Sequence, residues 1–118
     1  TWADRALAAL ARRGVPATLT DHLTWPSLFA QSDAMVDGWR AEGLGTVDME
    51  AGAVAAVAAR FGAAAVALLT VWDALAEGRT FLDPLDDSAQ AALERADEAT
   101  FEAALDLSAE AGERRAAA

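Results

Sequence analysis

The period of hydrophobic and polar positions changes several times along this chain. From Trp2 to Arg13 the apolar Leu7 and Leu10 share one helical face, with Arg5, Arg12 and Arg13 elsewhere, and Gly14 and Pro16 end the pattern. From Ala17 to Trp25 the period drops to two. Thr18, Thr20, His22 and Thr24 alternate with Ala17, Leu19 and Leu23, which predicts a strand closed by Pro26. A short helix is expected over Gln31 to Glu42, capped by Ser32 or Asp33 and closed by Gly43 and Gly45. Thr46 to Asp48 reads as a short strand and Met49 to Phe61 as a helix of small residues ended by Gly62. Ala63 to Trp72 is a continuous apolar run, the signature of a strand buried on both faces in a parallel sheet. Leu75 to Pro84 reads as a loop. Asp86 to Arg115 reads as a long amphipathic helix with Leu93, Ala96, Phe101, Ala104, Leu105 and Leu107 on its apolar side, and 116–118 as a frayed tail.

Strands and helices in alternating order indicate an α/β fold. The strands at Ala17–Trp25, Thr46–Asp48 and Ala63–Trp72 make a poor sheet alone. The last of them needs neighbours on both sides and cover on both faces. The pattern therefore predicts that further structure, outside these residues, completes the sheet.

Composition narrows the picture. A chain of 118 residues is one domain at most, and 54% hydrophobic residues can bury a core, although much of that fraction is alanine. The net charge of -10 argues against nucleic acid or an anionic membrane as partner. Every basic side chain except His22 is arginine, and there is no cysteine for disulfides or thiolate metal sites. No apolar run reaches the roughly 18 residues of a membrane span. No signal peptide is visible, since Asp4 and Arg5 fall inside a helical pattern, so a cytoplasmic protein is expected.

Chemistry concentrates at Gly45 to Asp73. The strand Thr46–Asp48 runs into a helix through the acid-Met-acid turn Asp48-Met49-Glu50, and the apolar run after that helix ends at Asp73. Two strand ends that each present a carboxylate make a site in an α/β protein, where ligands bind outside the carboxyl ends of the strands. The segment Val47-Asp48-Met49-Glu50-Ala51, the alanine-rich helix, Arg60-Phe61-Gly62-Ala63 and the run ending Thr70-Val71-Trp72-Asp73 resembles the purine nucleoside phosphorylase and uridine phosphorylase superfamily. The likeness is greatest to the hexameric bacterial purine nucleoside phosphorylases and next to the methylthioadenosine nucleosidases. It runs from about Ala17 to the C-terminal helix and corresponds to the C-terminal half of that fold.

The resemblance implies roles for individual residues. Asp48, Met49 and Glu50 would bind the ribose, with Glu50 accepting its hydroxyls, a task suited to a carboxylate that takes two donors at once. Asp48 stands where the family usually has glutamate. Asp73 would face the base as a catalytic acid, a protonated carboxyl beside N7 neutralising the charge left on the leaving purine. Thr24, Trp25, Val47 and Trp72 would line the base. Thr24 stands where the family stacks an aromatic ring, and Trp25 could supply that face instead. Trp72 stands where the family usually has serine. The arginine that assists the acid in the phosphorylases falls near Asp86 here, and Arg79 is the candidate anion contact in its place.

The residues also carry plainer readings. Glu50 is an acid at a helix N-terminus, favoured by the dipole. Asp73 is a loop aspartate capping the next turn. Trp25 is a core or interface residue, and Trp2 and Trp39 are packing residues or partner contacts. His22 is a core or surface histidine rather than a metal ligand. Asp83, Asp86 and Asp87 are a solvated helix start.

Two classes of function follow. In the first, the chain joins a second chain carrying the phosphate-binding half, and the assembly cleaves the N-glycosidic bond of a purine nucleoside. In the second it is a non-catalytic nucleoside-binding or structural subunit. A cleaved or truncated piece of one longer chain fits equally. A higher oligomer is expected, with no cofactor beyond phosphate as co-substrate in a phosphorylase, and a single histidine with no cysteine gives no metal site.

Overall fold

The computed structural model describes residues 1–27 and 29–116, and all their side chains except that of Arg115. The frayed tail expected at 116–118 lies, from 117 on, outside these residues, as does Leu28. The element order is α1 (Trp2–Arg12), β1 (His22–Thr24), α2 (Asp33–Ala41), β2 (Thr46–Asp48), α3 (Ala51–Arg60), a 3-10 turn (Leu75–Glu77) and α4 (Asp87–Ala116). Among the described residues no helix is long and apolar enough to cross a membrane. The chain divides into two compact units.

One unit comprises Thr1–Leu19, Leu68–Thr70 and the chain from Pro84 on. It is built on α1 against α4. Thr1 caps α1 with its hydroxyl, which accepts the Asp4 N–H at 3.2 Å. Asp86 caps α4 by accepting the Ala89 N–H at 2.8 Å, and that bond holds its carboxyl below the usual range. The core is made of small residues. Ala6, Ala9 and Leu10 are buried on α1, and Ala99, Ala103 and Leu107 on α4, with Val15 and Leu68 packed at the edge. Ala99, Ala103 and Leu107 recur every four residues, one stripe of a helix. The expected apolar side of α4 holds for Leu107 but is corrected for Phe101, 67% exposed, and Leu105, 54%. The alanine stripe buries instead because it lets the two helices approach closely. Arg13 ties the pair, donating to Glu102 at 3.0 Å, to Asp106 at 2.7 Å and to the Ala9 carbonyl at 3.0 Å.

The other unit comprises Thr20–Ala67 and Val71–Asp83. Here β1 and β2 pair in parallel, with His22 opposite Thr46, Leu23 opposite Val47 and Thr24 opposite Asp48. They are joined through α2, which Ser32 caps as expected. Gly45 leads into β2, where a Cβ would overlap the Thr20 hydroxyl and force that side chain to shift.

Two strand expectations are corrected. The strand expected over Ala17–Trp25 is confined to His22–Thr24. Ala63–Trp72 forms neither helix nor ladder, and Val66, Leu69 and Val71 are 39%, 46% and 54% exposed. An apolar run becomes a strand only when neighbours take up its backbone N–H and C=O groups, and among the described residues only β1 and β2 pair. Among the described residues the sheet is therefore a two-stranded parallel one. The loop expected over Leu75–Pro84 holds the 3-10 turn, closed by a bridge between Ala74 and Arg79.

Candidate functional site

The site begins with strand periodicity. Successive side chains of a strand point to opposite faces, so His22 and Thr24 on β1 share a face with Thr46 and Asp48 on β2. The parallel register brings the four together. His22 Nδ1 lies 2.8 Å from Thr46 Oγ1, and Thr24 donates its hydroxyl to Asp48 Oδ1 at 2.7 Å. His22 Nε2 is 2.9 Å from the same Asp48 oxygen, an ion-pair distance without the alignment of a hydrogen bond.

Asp48 also reaches forward. Its Oδ2 accepts the Ala51 N–H at 2.6 Å, and Thr24 Oγ1 accepts the Gly52 N–H at 2.7 Å. These are the first amides of α3, which have no partner inside the helix. Burial pushes the Asp48 carboxyl up, but Thr24, His22 and the N–H groups of Ala51 and Glu50 outweigh it and hold the carboxyl at about 2. Gly52 is required by this packing, since a Cβ there would stand 2.9 Å from Thr24 Cβ and Oγ1. The Trp25 N–H donates to the Asp48 carbonyl at 2.8 Å, which extends the pairing past the strand end.

Met49 and Glu50 follow at the carboxyl end of β2. Met49 is 45% exposed and Glu50 is exposed. Glu50 holds the N-cap position of α3 but makes no capping hydrogen bond with its side chain. Val47 pairs with Leu23 and, by alternation, faces away from the His22 and Asp48 side. The Trp25 ring packs at 54° on Trp39 with centroids 5.6 Å apart, and among the described residues its buried indole N–H has no partner.

Asp73 stands in a separate turn. Its Oδ1 accepts the Phe81 N–H, and Arg79 donates to the Trp72 carbonyl at 3.1 Å. Asp73 thus has a local turn-closing partner, and no hydrogen bond among the described residues links it to Asp48. Thr24, Asp48, Met49 and Glu50 are brought together around the β2–α3 turn. Trp72, Asp73 and Arg79 share the second turn. The sequence reading missed His22 and Thr46 as part of the cluster. Their signal was the polar alternation at 22, 24, 46 and 48, which becomes one cluster only in a parallel register.

A strand–helix–strand unit with parallel pairing, feeding a second helix through an acidic turn, defines an α/β protein, a class whose ligands bind outside the carboxyl ends of the strands. The chain matches the family model of the Phosphorylase superfamily over residues 1–113, and it belongs to that superfamily. Its family is one of nucleoside phosphorylase- and nucleosidase-type proteins. No curated protein and no solved structure matches the chain.

Proposed function

We propose that the chain supplies the sugar and base side of a site that cleaves the N-glycosidic bond of a purine nucleoside or a close analogue. Glu50 accepts hydrogen bonds from the ribose hydroxyls, beside Met49. Asp73, as the carboxylic acid, gives its proton to N7 as the bond from the sugar to the base breaks and the electron pair moves onto the base. Oxygen of phosphate or water then bonds to the sugar carbon. Such an acid is specific to purines because uracil offers no N7. The observation that carries this reading is Glu50: it stands at the carboxyl end of a parallel strand, exposed and without a capping bond.

Another polypeptide segment, in a second chain or in a further part of the same one, supplies the group that holds phosphate or water. Its support is the apolar surface left open. Val54 and Val57 on α3 and Phe61 at its C-cap are 61%, 59% and 79% exposed. One observation favours the non-catalytic alternative: the Asp73 carboxylate serves the local Phe81 N–H.

Calorimetric titration of the native assembly with inosine tests the sugar site. Glu50→Gln should weaken binding by roughly 1.5–3 kcal/mol, the worth of hydrogen bonds to a charged acceptor, with the fold intact. Unchanged affinity removes Glu50 from the site.

A further inference from the structure

We propose that Thr24 and Asp48 cap α3 in place of Glu50, with His22 steadying Asp48, so that the Glu50 carboxylate is left free for its ligand. This rests on the reading of Glu50 as the ribose acceptor. It changes the roles that the family resemblance implies for Thr24 and Asp48: both become positioning residues and leave the ligand contacts.

A residue at a helix N-cap commonly turns its side chain back onto the first free amides, and an acid there also gains from the dipole. Glu50 holds that position and makes no capping hydrogen bond with its side chain. The amides are already taken. Ala51 N–H goes to Asp48 at 2.6 Å and Gly52 N–H to Thr24 at 2.7 Å. Thr24 arrives from the neighbouring strand, so the cap is set by the β1–β2 register and not by the turn alone.

Thr24 has no hydrogen left for sugar, and each Asp48 oxygen already accepts a protein donor. The single Thr24 proton goes to Asp48 Oδ1 at 2.7 Å, and its oxygen accepts from Gly52. Asp48 uses Oδ1 for Thr24, with His22 Nε2 at 2.9 Å, and Oδ2 for Ala51. His22 is itself held from behind by Thr46 at 2.8 Å. The absence of a Cβ at Gly52 is what lets the helix start settle on Thr24. A borrowed cap both fixes the turn and releases Glu50, the exposed acid of the Asp48-Met49-Glu50 turn.

Inosine titrations of the native assembly carrying Thr24→Val, Thr24→Ser, Glu50→Gln and the Thr24→Val/Glu50→Gln double variant test this. Thr24→Val keeps the shape and loses the hydroxyl, and it should weaken binding about tenfold, one net hydrogen bond. Thr24→Ser keeps the hydroxyl and should bind within about twofold of the wild type. The double variant should bind no worse than Glu50→Gln alone, because Thr24 acts through Glu50. Wild-type affinity in Thr24→Val, a tenfold loss in Thr24→Ser, or full additivity in the double variant overturns the positioning role while leaving Glu50 as the sugar contact. Wild-type affinity in Glu50→Gln overturns the sugar site itself, and the positioning role with it.

Discussion

Thr24 sits directly opposite Asp48 across the parallel strands and donates its hydroxyl to Asp48 Oδ1 at 2.7 Å. This contact links the end of one strand to the cap of the helix that follows the other. It also depends on ionisation, because a neutral Asp48 would lose much of its power as an acceptor.

Stability should therefore fall in acid through Asp48. Its folded carboxyl is held at about 2, against an ordinary 3.8. A depressed carboxylate stabilises the fold above its unfolded pKa, and that contribution is lost as the pH falls from about 4 to about 2. The contribution is about 1–2 kcal/mol after allowing for screening by solvent. Denaturant titrations between pH 2 and 5 measure it. Asp48→Asn should be less stable at pH 7 and lose part of the acid dependence, whereas Asp4 and Asp86 contribute equally to both proteins. An unchanged slope would show that Asp48 is not the coupled group.

A methyl group on Gly52 should be harmful where one on Gly112 is helpful. At Gly52 the added carbon meets Thr24 at 2.9 Å, and at Gly112 it meets nothing within 4 Å. Gly52→Ala should cost about 1–3 kcal/mol through the shift it forces. Gly112→Ala, in α4, should stabilise by about 0.5–1 kcal/mol through helix propensity. Paired melting curves decide the matter, and equal effects at the two positions would mean that α3 does not rest on Thr24.

Much of this was legible in the sequence. The acid-Met-acid turn is local, so Asp48, Met49 and Glu50 could be placed from their neighbours alone. The helices read well because capping and breaking residues, Ser32 and Gly62 among them, act within one turn. The cluster of His22 with Thr46 was not legible, since it joins residues 24 positions apart through a register that no local pattern states. The run from Ala63 to Trp72 misled for a related reason. Its apolar character reports a preference for burial, but a ladder also needs partners for its backbone. The α4 stripe was misjudged because large residues such as Phe101 draw attention, while close helix packing selects Ala99 and Ala103.

The open face of α3 predicts association. Val54 and Val57 on the helix and Phe61 at its C-cap are all more than half exposed. Light scattering of the isolated chain should give a mass above 12.2 kDa. Val57→Glu should return it toward the monomer, since a charge in a buried interface is strongly disfavoured, and should keep the helix content. A wild-type chain that runs as a 12.2 kDa monomer with a cooperative melt would contradict the need for a covering partner.

Asp73 decides between the two functions. It lies at the end of the apolar run and accepts the Phe81 N–H with one oxygen. If it is the acid at the base, Asp73→Asn keeps a hydrogen-bond donor but has no proton to give. The rate should then fall by about 10²–10⁴ with nucleoside binding largely kept. If Asp73 only closes its turn, Asp73→Asn still offers its Oδ1 to the Phe81 amide and should leave the rate unchanged, whereas Asp73→Ala removes the acceptor and should lower stability without a selective loss of rate. The assay uses the native assembly on inosine, adenosine and uridine, with phosphate present and absent. A phosphate requirement would mark phosphorolysis, and turnover without it hydrolysis. Full activity in Asp73→Asn, or uridine as the best substrate, removes the purine acid. If no nucleoside is cleaved but inosine still binds through Glu50, the chain is a nucleoside-binding subunit. Trp72, beside the acid where the family resemblance expects serine, is then the first position to revert.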